Sequence, residues 1–145
     1  MIKQFFLAGI LLSCTTSILA QNNQLYKAKD LTAENQFSSN IEGPNFDKAG
    51  NLYIVNFQHD GTIGKINPVT GAGEIFLTLP DSSVANGIHF NSKGTMLLPD
   101  FKGHNVLAVD MHTKKVSVYV HSSQFNQPND LCVNSKDQVY ATDPK

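Results

Sequence analysis

The stretch EGPNFDKAGNLYIVN, residues Glu42–Asn56, points to the fold because it recurs twice further along the chain. The later copies are NGIHFNSKGTMLLPD, Asn86–Asp100, and NDLCVNSKDQVYATD, Asn129–Asp143. The copies align without a gap at offsets of 44 and 43 residues. Each has a polar opening residue followed by Gly or Asp, a short apolar stretch, a polar turn and a second apolar stretch with a polar end. Matched turns at nearly constant spacing favour a true repeat over chance similarity among β-hairpins.

The segments between the copies repeat as well. TIGKINPVTGAGEIFLTL, residues Thr62–Leu79, matches NVLAVDMHTKKVSVYV, residues Asn105–Val120. Each predicts two strands rich in β-branched and aromatic residues with a turn between them. The turn at Asn67–Gly71 contains the Pro and Gly that suit a tight connection. Each unit therefore holds four short antiparallel strands in roughly 43 residues, the pattern of a β-propeller blade.

The repeat predicts an all-β fold, a partial β-propeller of four-stranded antiparallel blades. Blades begin near Glu42, Asn86 and Asn129, so residues 42–145 hold about two and a half of them. Propellers close with about four to eight blades. The chain therefore reads as the N-terminal part of a longer propeller, with self-association as the alternative way to complete the ring. Residues 21–41 are expected to hold a strand at Leu25–Lys29 that belongs to the last, absent blade.

Residues 1–20 have the layout of a secretory signal. Lys3 supplies the positive charge, an apolar run follows, and Ala20 is the small residue before the expected cleavage site. A transmembrane anchor is disfavoured because polar residues interrupt the run. The stretch Leu11–Cys14 also resembles a bacterial lipobox, in which Cys14 would carry the lipid. Either route predicts a periplasmic or secreted protein, and no later segment is apolar enough to span a membrane.

The composition excludes several classes of function. The chain has 145 residues, 41% of them hydrophobic and 16% charged, with a formal net charge of −1. No basic patch is present for nucleic-acid binding. The five His show no metal-ligand spacing. Because Cys14 falls in the signal, Cys132 has no internal disulfide partner, and its apolar neighbours predict a buried core residue rather than a catalytic thiol.

Polar residues recur at the ends of the two inner strands of each blade. Glu42, Asn86 and Asn129 each precede an innermost strand and are expected to converge at one mouth of the central channel. Asp100 and Asp143 end the second strands and should form an outer ring at the same mouth. This oxygen-rich set suits Ca²⁺ or Mg²⁺ rather than zinc or copper. For the two Asp residues, hydrogen bonding to loop backbone is an equally favoured alternative.

These residues resemble the SMP-30/gluconolactonase family, the regucalcin-like six-bladed propellers. The resemblance covers residues 42–145. It rests on EGP at Glu42–Pro44, ANG at Ala85–Gly87, and QPNDLCV followed by VYATDP in the third unit. It implies that the chain holds two and a half of six blades. It also implies a divalent cation, usually Ca²⁺, at the channel mouth and hydrolysis of lactones or related esters.

The resemblance also implies roles for individual residues. Glu42 would be a metal ligand, Asn129 would be a metal ligand or contact the substrate, and Asn86 would lie near the substrate, a small lactone or sugar-derived molecule. Asp143 and Asp100, in the ring behind them, are predicted from their position to bind the same substrate. The family's further metal-ligand Asn and essential Asp lie in later blades, which this sequence does not contain. No catalytic residue is therefore assigned, and the chain reads as a truncated, inactive part of an exported lactonase. The alternative is a non-enzymatic propeller, either NHL-type or strictosidine-synthase-like, that binds a ligand or a protein.

Overall fold

The computed structural model describes residues 26–144. The predicted signal, Cys14 and Leu25 lie outside the described residues. The strands are β1 (Asn45–Phe46), β2 (Leu52–Val55), β3 (Thr62–Ile66), β4 (Gly73–Thr78), β5 (His89–Phe90), β6 (Met96–Asp100), β7 (Asn105–Val109), β8 (Val116–His121), β9 (Leu131–Val133) and β10 (Val139–Ala141). In residues 26–144 no helix could cross a membrane.

The strands form three antiparallel sheets whose order follows the chain. Strands β1 to β4 make blade one, β5 to β8 make blade two, and β9 pairs with β10 as the first half of blade three. Within each blade, every strand pairs with the next through a short turn or loop. This arrangement confirms the predicted all-β, partial β-propeller.

The turn between the first two strands of each blade is built by one side chain. In blade one, Asp47 Oδ1 accepts hydrogen bonds from the N–H groups of Ala49 and Asn51, both at 2.9 Å. Asn91 and Asn134 accept equivalent bonds in the next two blades. An Asp or Asn side chain that bonds backbone two residues on specifies a turn locally. The three turns therefore form where the repeat predicts them.

The main core lies between blades one and two. Tyr53, Val55 and Ile63 of blade one pack there against Met96 and Leu98 of blade two. Side chains alternate along a strand, so residues next to each other in sequence point to opposite faces of the sheet. Leu97 accordingly packs the other way, in a second core with Leu131 of blade three. Blade two is thus covered on both faces, and all five residues of β6 are buried.

The free face of blade one is covered by an aromatic side chain. A Cβ added at Gly64 would lie 2.5 Å from Phe57 Cβ, and one added at Gly73 would lie 2.6 Å from Phe57 Cε2. The Phe57 ring therefore lies over both glycines, and it is 3% exposed. Phe37 packs edge-on against it at 5.6 Å between ring centroids. The segment before blade one is held on this face.

Two sequence-based predictions concern less protected parts of the chain. Residues 26–29 are exposed and form no strand here. A strand needs a partner, so their pairing with a last blade stays a prediction. Cys132 is exposed, and its prediction as a core residue was wrong. In β9 it points away from the face on which Leu131 meets blade two. Its cross-strand partner Tyr140 is also exposed, at 58%.

Candidate functional site

The segments that lead into the innermost strands touch one another at the second position of each unit. A Cβ added at Gly43 would lie 2.5 Å from the Cα of Gly87. A Cβ added at Gly87 would lie 2.7 Å from Asp130 Oδ1. The missing side chains at the two glycines therefore let neighbouring inner strands approach closely. Glu42, Asn86 and Asn129 each come directly before these contacts, so the structure brings the predicted inner residues to one end of the arc.

Backbone hydrogen bonds set these three residues at equivalent heights. The Glu42 carbonyl accepts from the Val55 N–H at 3.4 Å, and the Asn86 N–H donates to the Pro99 carbonyl at 3.2 Å. The Asn129 N–H donates to the Thr142 carbonyl at 2.9 Å. Each bond ties the residue before the first strand to the end of the second strand. The inner ring, which we define as Glu42, Asn86 and Asn129, is thus positioned by the blade repeat.

The inner-ring side chains keep their polar atoms available. Glu42 is exposed, and Asn86 and Asn129 are partly exposed. Within residues 26–144 none of the three side chains has a hydrogen-bond partner. One carboxylate and two amides are therefore free to contact a ligand.

Asp100 behaves differently, because its carboxylate is engaged inside the protein. It is fully buried, at 0% exposure. Its Oδ1 accepts hydrogen bonds from the N–H groups of Val84 at 3.1 Å and Gly103 at 3.0 Å. Its Oδ2 accepts from Asn105 Nδ2 at 3.1 Å. The carboxylate holds two loops together, which is the backbone-bonding alternative that the sequence left open. A direct contact with substrate stays a prediction.

Asp143 and Asn56 occupy the same repeat position and also hold loops. Asp143 is exposed and accepts from the N–H groups of Asn126, at 2.9 and 3.0 Å, and Gln127, at 2.7 Å. Buried Asn56 donates from Nδ2 to the Asn40 carbonyl at 2.7 Å. In every unit this position therefore fixes backbone two or three residues before the inner ring. We call these three side chains, Asn56, Asp100 and Asp143, the loop clamps.

Asp130 was not singled out from the sequence. It stands where the first two units have Gly43 and Gly87, and its carboxylate lies against Gly87. Its Oδ1 accepts a hydrogen bond from the Leu131 N–H at 2.8 Å. The change from Gly to Asp at a repeat position was the available signal. The structure adds this carboxylate beside the inner ring.

The oxygen donors present are of the type that a hard cation binds, but they are too few to complete its coordination. In the part of the chain that the structure describes, no three His, Cys, Asp or Glu side chains come together as a metal site. The Glu42 carboxylate and the Asn129 amide are oxygen donors of the kind that Ca²⁺ binds. Calcium takes about six to eight oxygens. A complete coordination shell would therefore need donors beyond this pair.

Tyr53 and Asp137 have shifted pKa values and lie at the opposite end of the inner strands, in the blade turns. Burial raises the pKa of Tyr53 to about 12, helped by the charge of Asp47 and the hydrogen bond to it. Hydrogen bonds from Ser92 lower the pKa of Asp137, and the Ser92 hydroxyl lies 2.5 Å from it. Lys48 Nζ donates to the Ser92 carbonyl. These bonds join the turns of successive blades, so the shifts reflect the fold rather than the inner ring.

Comparison with known proteins gives likeness in structure alone. No protein-family model matches the chain, and no curated protein matches it in sequence. A gluconolactonase from Xanthomonas campestris superimposes with a TM-score of 0.64 at 18% identity, covering 79% of this chain and 37% of that one. A catalytically inactive virginiamycin B lyase from Staphylococcus aureus, solved with quinupristin, gives a TM-score of 0.59 at 17% identity, covering 71% of this chain and 34% of that one. The likeness shows a shared fold, and the chain spans about a third of either protein's length.

Proposed function

We propose that this chain contributes the first blades of an exported, divalent-metal-dependent hydrolase of lactones or related esters. The observation that carries the proposal is the inner ring of Glu42, Asn86 and Asn129. Its polar atoms have no partner in residues 26–144, whereas the loop clamps behind it are engaged. The fold likeness to a gluconolactonase supports the proposal at the level of architecture. We extend the proposal to the whole protein, as a lactonase related to the SMP-30 family.

In this proposal Glu42 and Asn129 hold the cation, which is Ca²⁺ or, less suited to amide-rich sites, Mg²⁺. When bound, such a cation polarises a carbonyl group and lowers the pKa of a coordinated water. Glu42 supplies the negative charge. Asn86 donates a hydrogen bond to an oxygen of the lactone or of its hydroxyl groups. This chain provides binding and orientation, and no residue of it is assigned as the general base.

The loop clamps act on the same site through the backbone. Asp100 bonds Val84, two residues before Asn86, and Asp143 bonds Gln127, two residues before Asn129. Each clamp therefore limits the movement of an inner-ring residue. Tight placement of ligand groups matters because small displacements of reacting groups lower rates strongly. This gives both Asp residues a positioning role in addition to the predicted substrate contact.

Calcium titration by calorimetry tests the metal part of the proposal. The chain alone should bind Ca²⁺ weakly, and a longer protein that carries these blades should bind it well. In that protein Glu42→Gln should lose affinity strongly, since it removes the charge of the one carboxylate in the inner ring. Asp100→Asn should lose much less, since its carboxylate faces backbone. Equal losses would show that the two rings are assigned the wrong roles.

Release of acid from an aldonolactone, with and without chelator, tests the activity. The chain alone should show no activity above background, and the longer protein should show chelator-sensitive hydrolysis that falls strongly in Asn129→Ala. Chelator-insensitive activity would exclude the metal-dependent mechanism. A folded, longer protein with neither metal binding nor activity would favour the non-enzymatic NHL-type or strictosidine-synthase-like alternative.

Export is tested separately by the mass of the mature protein. Cleavage by a signal peptidase should leave Gln21 as the first residue. A lipid-modified chain that begins at Cys14 would support the lipoprotein route. Retention of residues 1–20 in a cytoplasmic protein would contradict the proposed location.

A further inference from the structure

A cavity of about 550 Å³ opens on the outer rim between blades one and two. The linker between β4 and β5 forms one side, and the outer strands of blade two form the other. Leu107, Val116 and Val118 make an apolar wall. Exposure along this wall rises from 2% at Leu107 to 57% at Val118. Both flanking sheets have all four strands, so the cavity is formed entirely by the described residues.

One nearly buried residue on the linker side carries a hydroxyl that has no partner within residues 26–144. Ser83 lines the cavity and is 6% exposed. Within residues 26–144 its hydroxyl makes no hydrogen bond, and only Gln36 Oε1 is a fully buried polar atom without a partner there. The Ser83 hydroxyl therefore keeps some access to solvent, and Ser83 lines the cavity. A buried polar group facing a cavity without a partner is ready to bond a ligand.

The same linker carries a carboxylate on an unusual backbone. Asp81 is the one charged residue among those that line the cavity in the described part of the chain. Asp81 and Ser82 both have left-handed φ angles, of 52° and 61°. Two consecutive non-glycine residues in this region are strained, and such strain clusters at binding sites. In the linker between β8 and β9 no residue has a positive φ, so the feature belongs to this linker and not to the repeat.

We propose that this cavity binds a primary ammonium group carried on a short aliphatic chain. Asp81 balances the positive charge, and the Ser83 hydroxyl accepts a hydrogen bond from the ammonium. The aliphatic chain covers Leu107, Val116 and Val118. An anionic ligand would meet the carboxylate, and a wholly apolar one would bury two polar groups without partners, which is unfavourable. The site lies on the blade rim, away from the inner ring, and shares Gly103 and Asn105 with the loop clamp Asp100.

Titration of the whole chain with hexylammonium tests the proposal, with binding followed by ligand-observed NMR. Neutral 1-hexanol should bind about tenfold more weakly, and hexanoate should not bind, because hydrogen bonds to charged groups are the strong ones. Asp81→Asn should weaken hexylammonium binding about tenfold, and Asn tolerates the left-handed backbone. Ser83→Ala should weaken it about threefold. Glu74→Gln is the control, because it removes a carboxylate of blade one that does not line this cavity, and it should leave hexylammonium affinity unchanged.

Circular dichroism and a thermal transition first establish that each variant is folded. Equal hexylammonium affinity in the folded wild type and in Asp81→Asn would overturn the proposal. So would hexanoate binding as tightly as hexylammonium, or the absence of hexylammonium binding to the folded wild type. If Asp81→Asn fails to fold, the proposal is still tested by the affinities of the three ligands for the wild type and by the hexylammonium affinity of Ser83→Ala.

Discussion

Removal of a loop-clamp side chain should lower the free energy of unfolding much more in blade two than in blade three. Asp100→Ala deletes the acceptor for the N–H groups of Val84 and Gly103 and for the amide of Asn105. A buried donor left without a partner costs about 1–3 kcal/mol. Val84 is buried, while Gly103 and Asn105 are partly exposed and can recruit water. We therefore expect Asp100→Ala to lower the free energy of unfolding by about 2–4 kcal/mol, most of it from the Val84 N–H. Asp143→Ala is the matched control at the same repeat position.

The control should cost about 1 kcal/mol or less, because the two N–H groups that bond Asp143 belong to exposed residues that water can serve. Asp100→Asn keeps one accepting oxygen, so its loss of unfolding free energy should lie between those of the two alanine variants. Urea unfolding followed by circular dichroism measures all three, with midpoints compared at constant slope. Similar losses in Asp100→Ala and Asp143→Ala would refute the reasoning, since burial would then not decide the cost of the clamp.

Three further predictions concern the inner strands, the blade turn and the open face. Gly43→Ala should lower the free energy of unfolding by about 2–5 kcal/mol, because its Cβ would meet the neighbouring backbone. Gly50→Ala is the control, since its Cβ would have nothing within 4 Å and should cost only the left-handed strain of about 1–2 kcal/mol. Urea unfolding measures both. The raised pKa of Tyr53, about 12, means that its stabilising effect is complete below the ordinary value of 10.0 and is lost as the pH rises from there through about 12. Tyr53→Phe should flatten the alkaline limb of a stability–pH profile, and an unchanged limb would contradict the assignment. Tyr140 is 58% exposed on a sheet face and should promote self-association of the chain. Tyr140→Ser should therefore lower the apparent mass in sedimentation. A wild-type chain that is wholly monomeric would argue against this.

The residues that sequence reasoning placed correctly are those whose structure depends on near neighbours. The turn at Asp47 forms because its side chain reaches backbone only a few residues away, and the same applies at Asn91 and Asn134. The apolar stretches of β2 and β6 likewise predict strands from local composition, and both form strands. Local chemistry of this kind, repeated at a constant spacing, was enough to predict four-stranded blades and their order.

Side-chain surroundings could not be predicted in the same way. Asp100 and Asp143 are the same residue at the same repeat position, yet one is fully buried between two loops and the other is exposed. Cys132 has apolar neighbours in sequence, but the alternation of β9 turns it away from blade two. The close contact between the segments at Gly43 and Gly87 has no signal in the sequence beyond the glycines themselves, and only the structure shows it.

The sequence by itself therefore determined the repeat, the strands, the turns and the candidate inner ring, since each follows from the chemistry of adjacent residues. The tertiary structure decided which polar groups are engaged and which are free. It placed the Asp100 carboxylate on backbone N–H groups, left Glu42 without a partner in residues 26–144, and set Ser83 at a cavity between two blades. The physical reason is that burial and hydrogen-bond partners come from residues distant along the chain, which meet only when the blades pack.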